Sequence, residues 1–180
     1  MLRKLYPLLA IMAVVIVLTG CWNRRELNEL AIALAIGIDK DGGQYRVSAQ
    51  VVDPSQVAAK KNESGRSSVI LYQESADTVL EAFRKMTTTA SRNMYVAHIR
   101  LLVISEAIAK EGLAPVLDLF SRGEELRTDF FIVVAKDTTA ESTLKVLTSL
   151  EKIPAVSMYR SLETSEKTWA PTSTVTLDQL

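Results

Sequence analysis

Leu30-Ala31-Ile32-Ala33-Leu34-Ala35-Ile36-Gly37-Ile38 runs into Asp39-Lys40-Asp41-Gly42-Gly43 and then into Gln44-Tyr45-Arg46-Val47-Ser48-Ala49-Gln50-Val51-Val52. In the first run large residues at 30, 32, 34, 36 and 38 alternate with Ala or Gly. A period of two over nine residues predicts a strand, with the large side chains on one face. The small-residue face lets another element pack closely. In the second run Tyr45, Val47, Ala49 and Val51 share a face. Asp-Gly between two alternating runs is a strong hairpin signal, so 39–43 is read as the turn. Asp39 and Asp41 also suggest a calcium loop. That reading fails on spacing, because the twelfth position is Gln50 where a bidentate glutamate is required.

Downstream, 53–68 is polar and reads as a long exposed loop, followed by a short strand over 69–73. Ser75 is placed to cap a helix over 76–89, whose stripe is Ala76, Val79, Leu80, Phe83 and Met86. Residues 99–104 form a strand, and Ser105 caps a short helix ending near Gly112. Pro115 suits the first turn of the next helical piece, which reaches Phe120. Residues 121–129 are a charged connection, and 130–135 is a continuous apolar run typical of a strand buried on both faces. Thr138 and Glu141 have capping-box spacing, ahead of a helix with Leu144, Leu147 and Leu150 on one side. After Pro154 the chain turns polar and irregular, with Trp169 and Pro171 its notable residues. Strands joined by helices predict an α+β or α/β fold. The expected core is a mixed β-sheet of about five strands with three helices packed against it. The expected division is a leader over 1–20, a mixed α/β domain over 21–150 and an extended tail over 151–180.

Upstream of the hairpin, Arg3 and Lys4 precede an apolar run over 8–18, then Thr19, Gly20 and Cys21. This is the layout of a secretory signal. The run is shorter than the ~20 apolar residues a transmembrane helix needs. Leu18-Thr19-Gly20-Cys21 resembles a bacterial lipobox, in which the cysteine thiol receives diacylglycerol and becomes residue one. Two acyl chains anchor stably where one is marginal, at ~0.8 kcal/mol per buried CH₂. The chain's single cysteine is thereby accounted for.

The 180 residues carry 21 Lys+Arg and 21 Asp+Glu. With Arg3 and Lys4 removed the mature chain is slightly acidic, which argues against a nucleic-acid binder. One cysteine precludes an intramolecular disulfide, and one cysteine with one histidine is too few for a structural zinc site. No Gly-x-Ser-x-Gly elbow and no phosphate-cradling glycine loop is present. His98 is the sole imidazole and reads as a packed or hydrogen-bonded structural residue. Glu124, Glu125, Arg127 and Asp129 are the densest charged cluster. Paired carboxylates serve acid/base chemistry, but adjacent ones on a loop are more simply solvated or paired with Arg122 or Arg127. The residues describe a binding or scaffolding module, not an enzyme, with no cofactor and no metal.

Cys21-Trp22-Asn23-Arg24-Arg25-Glu26-Leu27-Asn28-Glu29-Leu30, with Gly37-Ile38-Asp39, resembles the mature start of the Ger(x)C family of spore germination lipoproteins, the C-subunits of nutrient germinant receptors. Three later segments also resemble it: 97–100 leading to 103–106, 119–122 leading to 125–127, and 131–136. Thr174-Val175-Thr176-Leu177-Asp178 is similar to a stretch that in the family leads into a following domain. Asn23 stands where the family commonly has Asp, and Gly123 follows Arg122 where it commonly has Asp. The resemblance implies a non-enzymatic subunit anchored through lipid on Cys21 to the outer face of the spore inner membrane. It implies integral-membrane A- and B-type receptor subunits as partners, and further C-terminal domains beyond this first one. Trp22 and Arg24-Arg25-Glu26 are candidates for membrane-proximal or partner contacts. A generic solute-binding or scaffolding lipoprotein is the alternative.

Overall fold

β1 (Leu30–Asp41) and β2 (Gln44–Val52) form the predicted antiparallel hairpin, closed by Gly42 and Gly43 at φ +56° and +96°. Positive φ at both turn positions matches the right-handed twist of the strands, and glycine takes it without steric cost. β1 runs on to Asp41, so the turn is two residues long and Asp39 is a strand residue. The computed structural model describes Tyr6, 29–53, Val57, 67–123, 126–146, 151–169 and 174–180.

Along these residues follow β3 (Val69–Ala76), α1 (Val79–Thr89), β4 (Asn93–Tyr95), β5 (Leu101–Ser105), α2 (Glu106–Glu111), α3 (Ala114–Arg122), β6 (Phe131–Ala135), α4 (Ala140–Leu144) and α5 (Pro154–Thr168). The sheet order is β3-β2-β1-β5-β6, with β4 pairing the start of β1. β2 is antiparallel to β1 and β3, while β4 and β5 run parallel to β1 and β6 runs parallel to β5. The fold is therefore α+β around a mixed sheet, as expected, with six strands and five α-helices among the described residues.

Helices cover both faces. On one face Val79, Ala82 and Met86 of α1, Ile108 of α2, and Val116 and Phe120 of α3 pack on Ile36, Ile38, Val47, Ala49, Leu102 and Ile104. On the other, Ala140 and Leu144 of α4 and Ala155 of α5 pack on Ala35, Leu101, Val103 and Phe131.

The alternation of β1 does not hold one face throughout. Ala33 opposes Val51 but Ala35 opposes Gln50, so β1 carries one extra residue there. A bulge of this kind leaves a residue unpaired and shifts the parity of the strand. Of the large residues, accordingly, Ile36 and Ile38 join the first core and Leu34 packs on the second; of the small ones, Ala31 and Ala33 join the first and Ala35 the second. Gly37 lies under α4. A Cβ there would meet Leu144 Cδ1 at 3.0 Å and Ala140 Cβ at 3.2 Å.

Several local expectations are corrected. Pairing of β3 with β2 continues to Ala76 opposite Tyr45, so Ser75 is a strand residue. Thr78 caps α1, its Oγ1 accepting from Glu81 N–H at 3.2 Å. The apolar stripe rotates with that shift, burying Val79, Ala82 and Met86 and leaving Leu80 exposed. Ser105 stands at the N-cap of α2 but makes no capping bond. Pro115 opens α3 as expected, and that helix reaches Arg122. β6 is a border strand with Val134 46% exposed, not a strand buried on both faces. Thr139, not Thr138, caps α4. The stretch after Pro154 is not irregular: it forms the 15-residue helix α5, because Ala155, Met158, Tyr159 and Leu162 give it an apolar side. Leu147, Leu150 and Pro171 lie outside the described residues.

Candidate functional site

Two buried polar side chains on neighbouring strands hold the second helical layer. Asp39 is 5% exposed, and its two carboxylate oxygens accept the N–H groups of Ala140 at 2.7 Å and Glu141 at 2.9 Å. These are orphan donors of the first turn of α4, where a negative charge also complements the helix dipole. Gln50 is 1% exposed. Its Nε2 donates to the Leu144 carbonyl at 2.8 Å, and its Oε1 accepts from Ala155 N–H at 3.0 Å. One side chain thus closes the end of α4 and the start of α5. Glu141 accepts from Gln73 at 2.7 Å and pairs with Lys145, which together hold its carboxyl below the usual range, Lys145 contributing most.

Where β1 bulges, the strands beside it part. β4 pairs with residues 30–32, and β5 takes over only from Ala35. Residues 96–100 leave the sheet in between. Arg100 is clamped at the gap by its backbone: its N–H donates to the Leu34 carbonyl at 2.7 Å, and its carbonyl accepts from Phe131 N–H at 3.0 Å. The opening is a recess of about 320 Å³ lined by Ile32, Leu34, His98, Ile99, Arg100, Arg127 and Asp129. The floor is apolar and the rim is polar, which is the general build of a small-ligand site.

Arg127 donates through Nε and Nη2 to the two oxygens of Asp129 at 3.1 and 2.8 Å. This fork uses two of its five donor hydrogens. The Arg100 guanidinium lies 5.4 Å over the Tyr159 ring, and Tyr159 stacks on Phe131 with centroids 4.5 Å apart. Arg100 makes no ion pair among the described residues. His98 is exposed, its ring meeting Tyr95 edge-on at 5.6 Å, so it is a rim residue and not a packed core histidine. The recess lining offers no hydroxyl or thiol nucleophile. A second cavity, about 220 Å³ between α1 and α3, is walled mainly by Leu80, Phe83, Met94, Leu119 and Leu126, with Arg84 and Thr87 as its polar members.

Of the residues singled out from sequence, the fold unites His98, Arg127 and Asp129 in the recess. Arg122 is elsewhere engaged, with Asp118 at 2.7 Å. Cys21, Trp22, Arg24, Arg25, Glu26, Glu124 and Glu125 lie outside the described residues. Among the described residues no group of His, Cys, Asp and Glu is assembled that could hold a metal ion. No helix among them is long and apolar enough to cross a membrane. Sequence reasoning missed the contacts of Arg100, Asp39 and Gln50, whose side-chain partners lie 59 or more positions away. Local spacing carries no signal for such contacts.

Residues 23–180 match the family described as "Spore germination protein N-terminal domain". The chain is 40% identical over 171 residues to spore germination protein KC of Bacillus subtilis (strain 168), covering 92% of this chain and 42% of that protein. It is 25% identical over 159 residues to spore germination protein YndF of the same organism, covering 74% of this chain and 39% of the relative. Spore germination protein A3, again from that organism, is 23% identical over 131 residues, which is 70% of this chain and 34% of the relative. The chain therefore spans less than half the length of these relatives. No solved structure matches it.

Proposed function

The chain belongs to the Ger(x)C family of spore germination proteins, matching its N-terminal domain, and from that membership we propose that it works as a lipid-anchored, non-enzymatic subunit of a nutrient germinant receptor. The family match over 23–180 carries the reading. The relatives' names give the process, germination of spores. The anchor is supported by Leu18-Thr19-Gly20-Cys21 after an apolar run, and by a family match that begins just past that cysteine. A non-enzymatic role is supported by a recess whose lining is charged but brings no hydroxyl or thiol nucleophile. On this reading the protein sits on the outer face of the spore inner membrane, held by diacylglycerol on Cys21. Its partners are integral-membrane A- and B-type subunits, and it takes no cofactor.

The test is intact mass of the membrane-extracted protein, together with affinity capture from detergent-solubilised spore membranes. The expected mass is that of a chain starting at Cys21 with acyl groups attached, and polytopic receptor subunits are expected in the captured material. A chain retaining Met1, or capture without membrane partners, overturns the corresponding half of the reading.

A further inference from the structure

The recess lies at one end of the sheet. β5 and β6 run parallel to β1 and begin beside the recess, within two residues of Arg100 and Asp129, and Ile32 and Leu34 reach it from the first part of β1. Leu30, where β1 begins, is nine residues from Cys21. Nine residues extend to at most about 30 Å. If Cys21 holds lipid, this end of the sheet cannot leave the neighbourhood of the membrane surface.

The charge of the rim is specific. Arg127 and Asp129 cancel as a forked pair, while Arg100 has no carboxylate partner among the described residues. Among the described residues the lining therefore carries one uncompensated positive charge, and Arg127 lines the same opening as His98. The Arg100 backbone is fixed by two hydrogen bonds and its guanidinium rests over the Tyr159 ring, so part of its freedom is already given up before a ligand binds. A single net charge suits a phosphodiester, which carries one negative charge, better than a phosphate monoester, which carries nearly two. Ile32, Leu34 and Ile99 below supply an apolar floor for the carbon skeleton attached to it.

From this geometry we infer that the recess binds the phosphodiester of an anionic phospholipid headgroup, with Arg100 and Arg127 as its donors. The inference deepens the lipid-anchored reading and rests on it. It makes the anchored domain dock in one orientation, with residues 96–100 and 127–129 against the bilayer.

The experiment uses the membrane-extracted full chain in vesicles of phosphatidylcholine alone or with phosphatidylglycerol added. Flotation reads the anchor, and amide hydrogen exchange at 96–101 and 126–131 reads the recess. Exchange at these amides is expected to slow much more on vesicles containing phosphatidylglycerol than on phosphatidylcholine alone, whose phosphodiester is offset by its own choline ammonium. Arg100→Gln is expected to reduce that protection roughly fivefold, the weight of one arginine near an anionic surface. Arg127→Gln, which leaves Asp129 uncompensated, is expected to abolish it. Both side chains are exposed, so unchanged thermal unfolding will verify the fold of each variant. A chain that floats but shows no protection overturns the site and leaves the anchor standing. A chain that does not float overturns the anchor. The recess is then judged with soluble glycerophosphoglycerol and inorganic phosphate. Protection by glycerophosphoglycerol supports the phosphodiester site, and equal or better protection by inorganic phosphate overturns it in favour of a free-phosphate site.

Discussion

Asp39, Gln50 and Gly37 show how three residues on one sheet face fix a whole helical layer. Asp39→Ala leaves two backbone N–H groups at the start of α4 without their acceptor. The expected cost is about 1–2 kcal/mol, in the range of a lost N-cap. Asp39→Asn keeps one acceptor oxygen and is expected to lose about half as much. Gln50→Leu fills similar space but strands the Leu144 carbonyl and the Ala155 N–H, for about 1–3 kcal/mol. Gly37→Ala must push a methyl against Leu144 Cδ1 at 3.0 Å and the Ala140 backbone carbon at 3.3 Å, and is expected to cost about 1–3 kcal/mol through overpacking. Urea titration checks all four: the midpoint should fall with the slope unchanged. A Gly37→Ala protein as stable as the parent would mean that α4 rides freely over β1.

At the scale of elements, the attachment of α4 is expected to depend on pH through Glu141. Its first-turn Glu141 has a carboxyl lowered by Lys145 and, less, by Gln73. A carboxylate lowered in the folded state stabilises the fold at pH values above its unfolded pKa, and that contribution disappears as pH falls through the folded value. Amides of 140–144 are therefore expected to keep constant protection relative to β5 from neutral pH to about pH 5. Below about pH 4 they should lose it first, and Glu141→Gln should remove the step. Hydrogen exchange corrected for intrinsic rates measures both. The elements also show what sequence could carry. The hairpin was legible because its signals are local: period two on each side and two turn glycines at positive φ. The bulge in β1 was not, because an uninterrupted Ala/Leu/Ile alternation looks the same whether or not one residue slips out of register. α5 was missed because its apolar side is diluted by Ser, Arg and Glu, and only the sheet beneath it selects Ala155, Met158, Tyr159 and Leu162. Of the site, the sequence presented His98, Arg127 and Asp129 as charged loop residues. It could not say that Arg100 and the bulge at Leu34 would complete a recess with them, since that depends on pairing β1 with β5 across more than sixty positions.

At the scale of the whole molecule, the proposed anchor is expected to be separable from the described core. Among the described residues every member of the two buried clusters lies at or beyond Ala31, and the first residue of the sheet is Leu30. The proposed lipid sits nine residues earlier, on Cys21. Cys21→Ala should therefore leave the thermal midpoint unchanged, whereas a loss of even 1 kcal/mol from the core would lower it by about 2–4 °C in a domain of this size. Membrane attachment should respond in the opposite way. Two acyl chains contribute ~0.8 kcal/mol for each buried CH₂, far more than a recess that carries one net charge can supply against a screened surface. The variant is expected to float with vesicles only weakly, and only at low salt with anionic lipid. Its unfolding curve should superimpose on that of the parent. Spores carrying it should then fail to germinate on nutrient although the protein is folded. Strong flotation by Cys21→Ala would instead assign the anchor to the apolar run at 8–18 retained as a leader, and normal germination would detach the protein's role from its lipid.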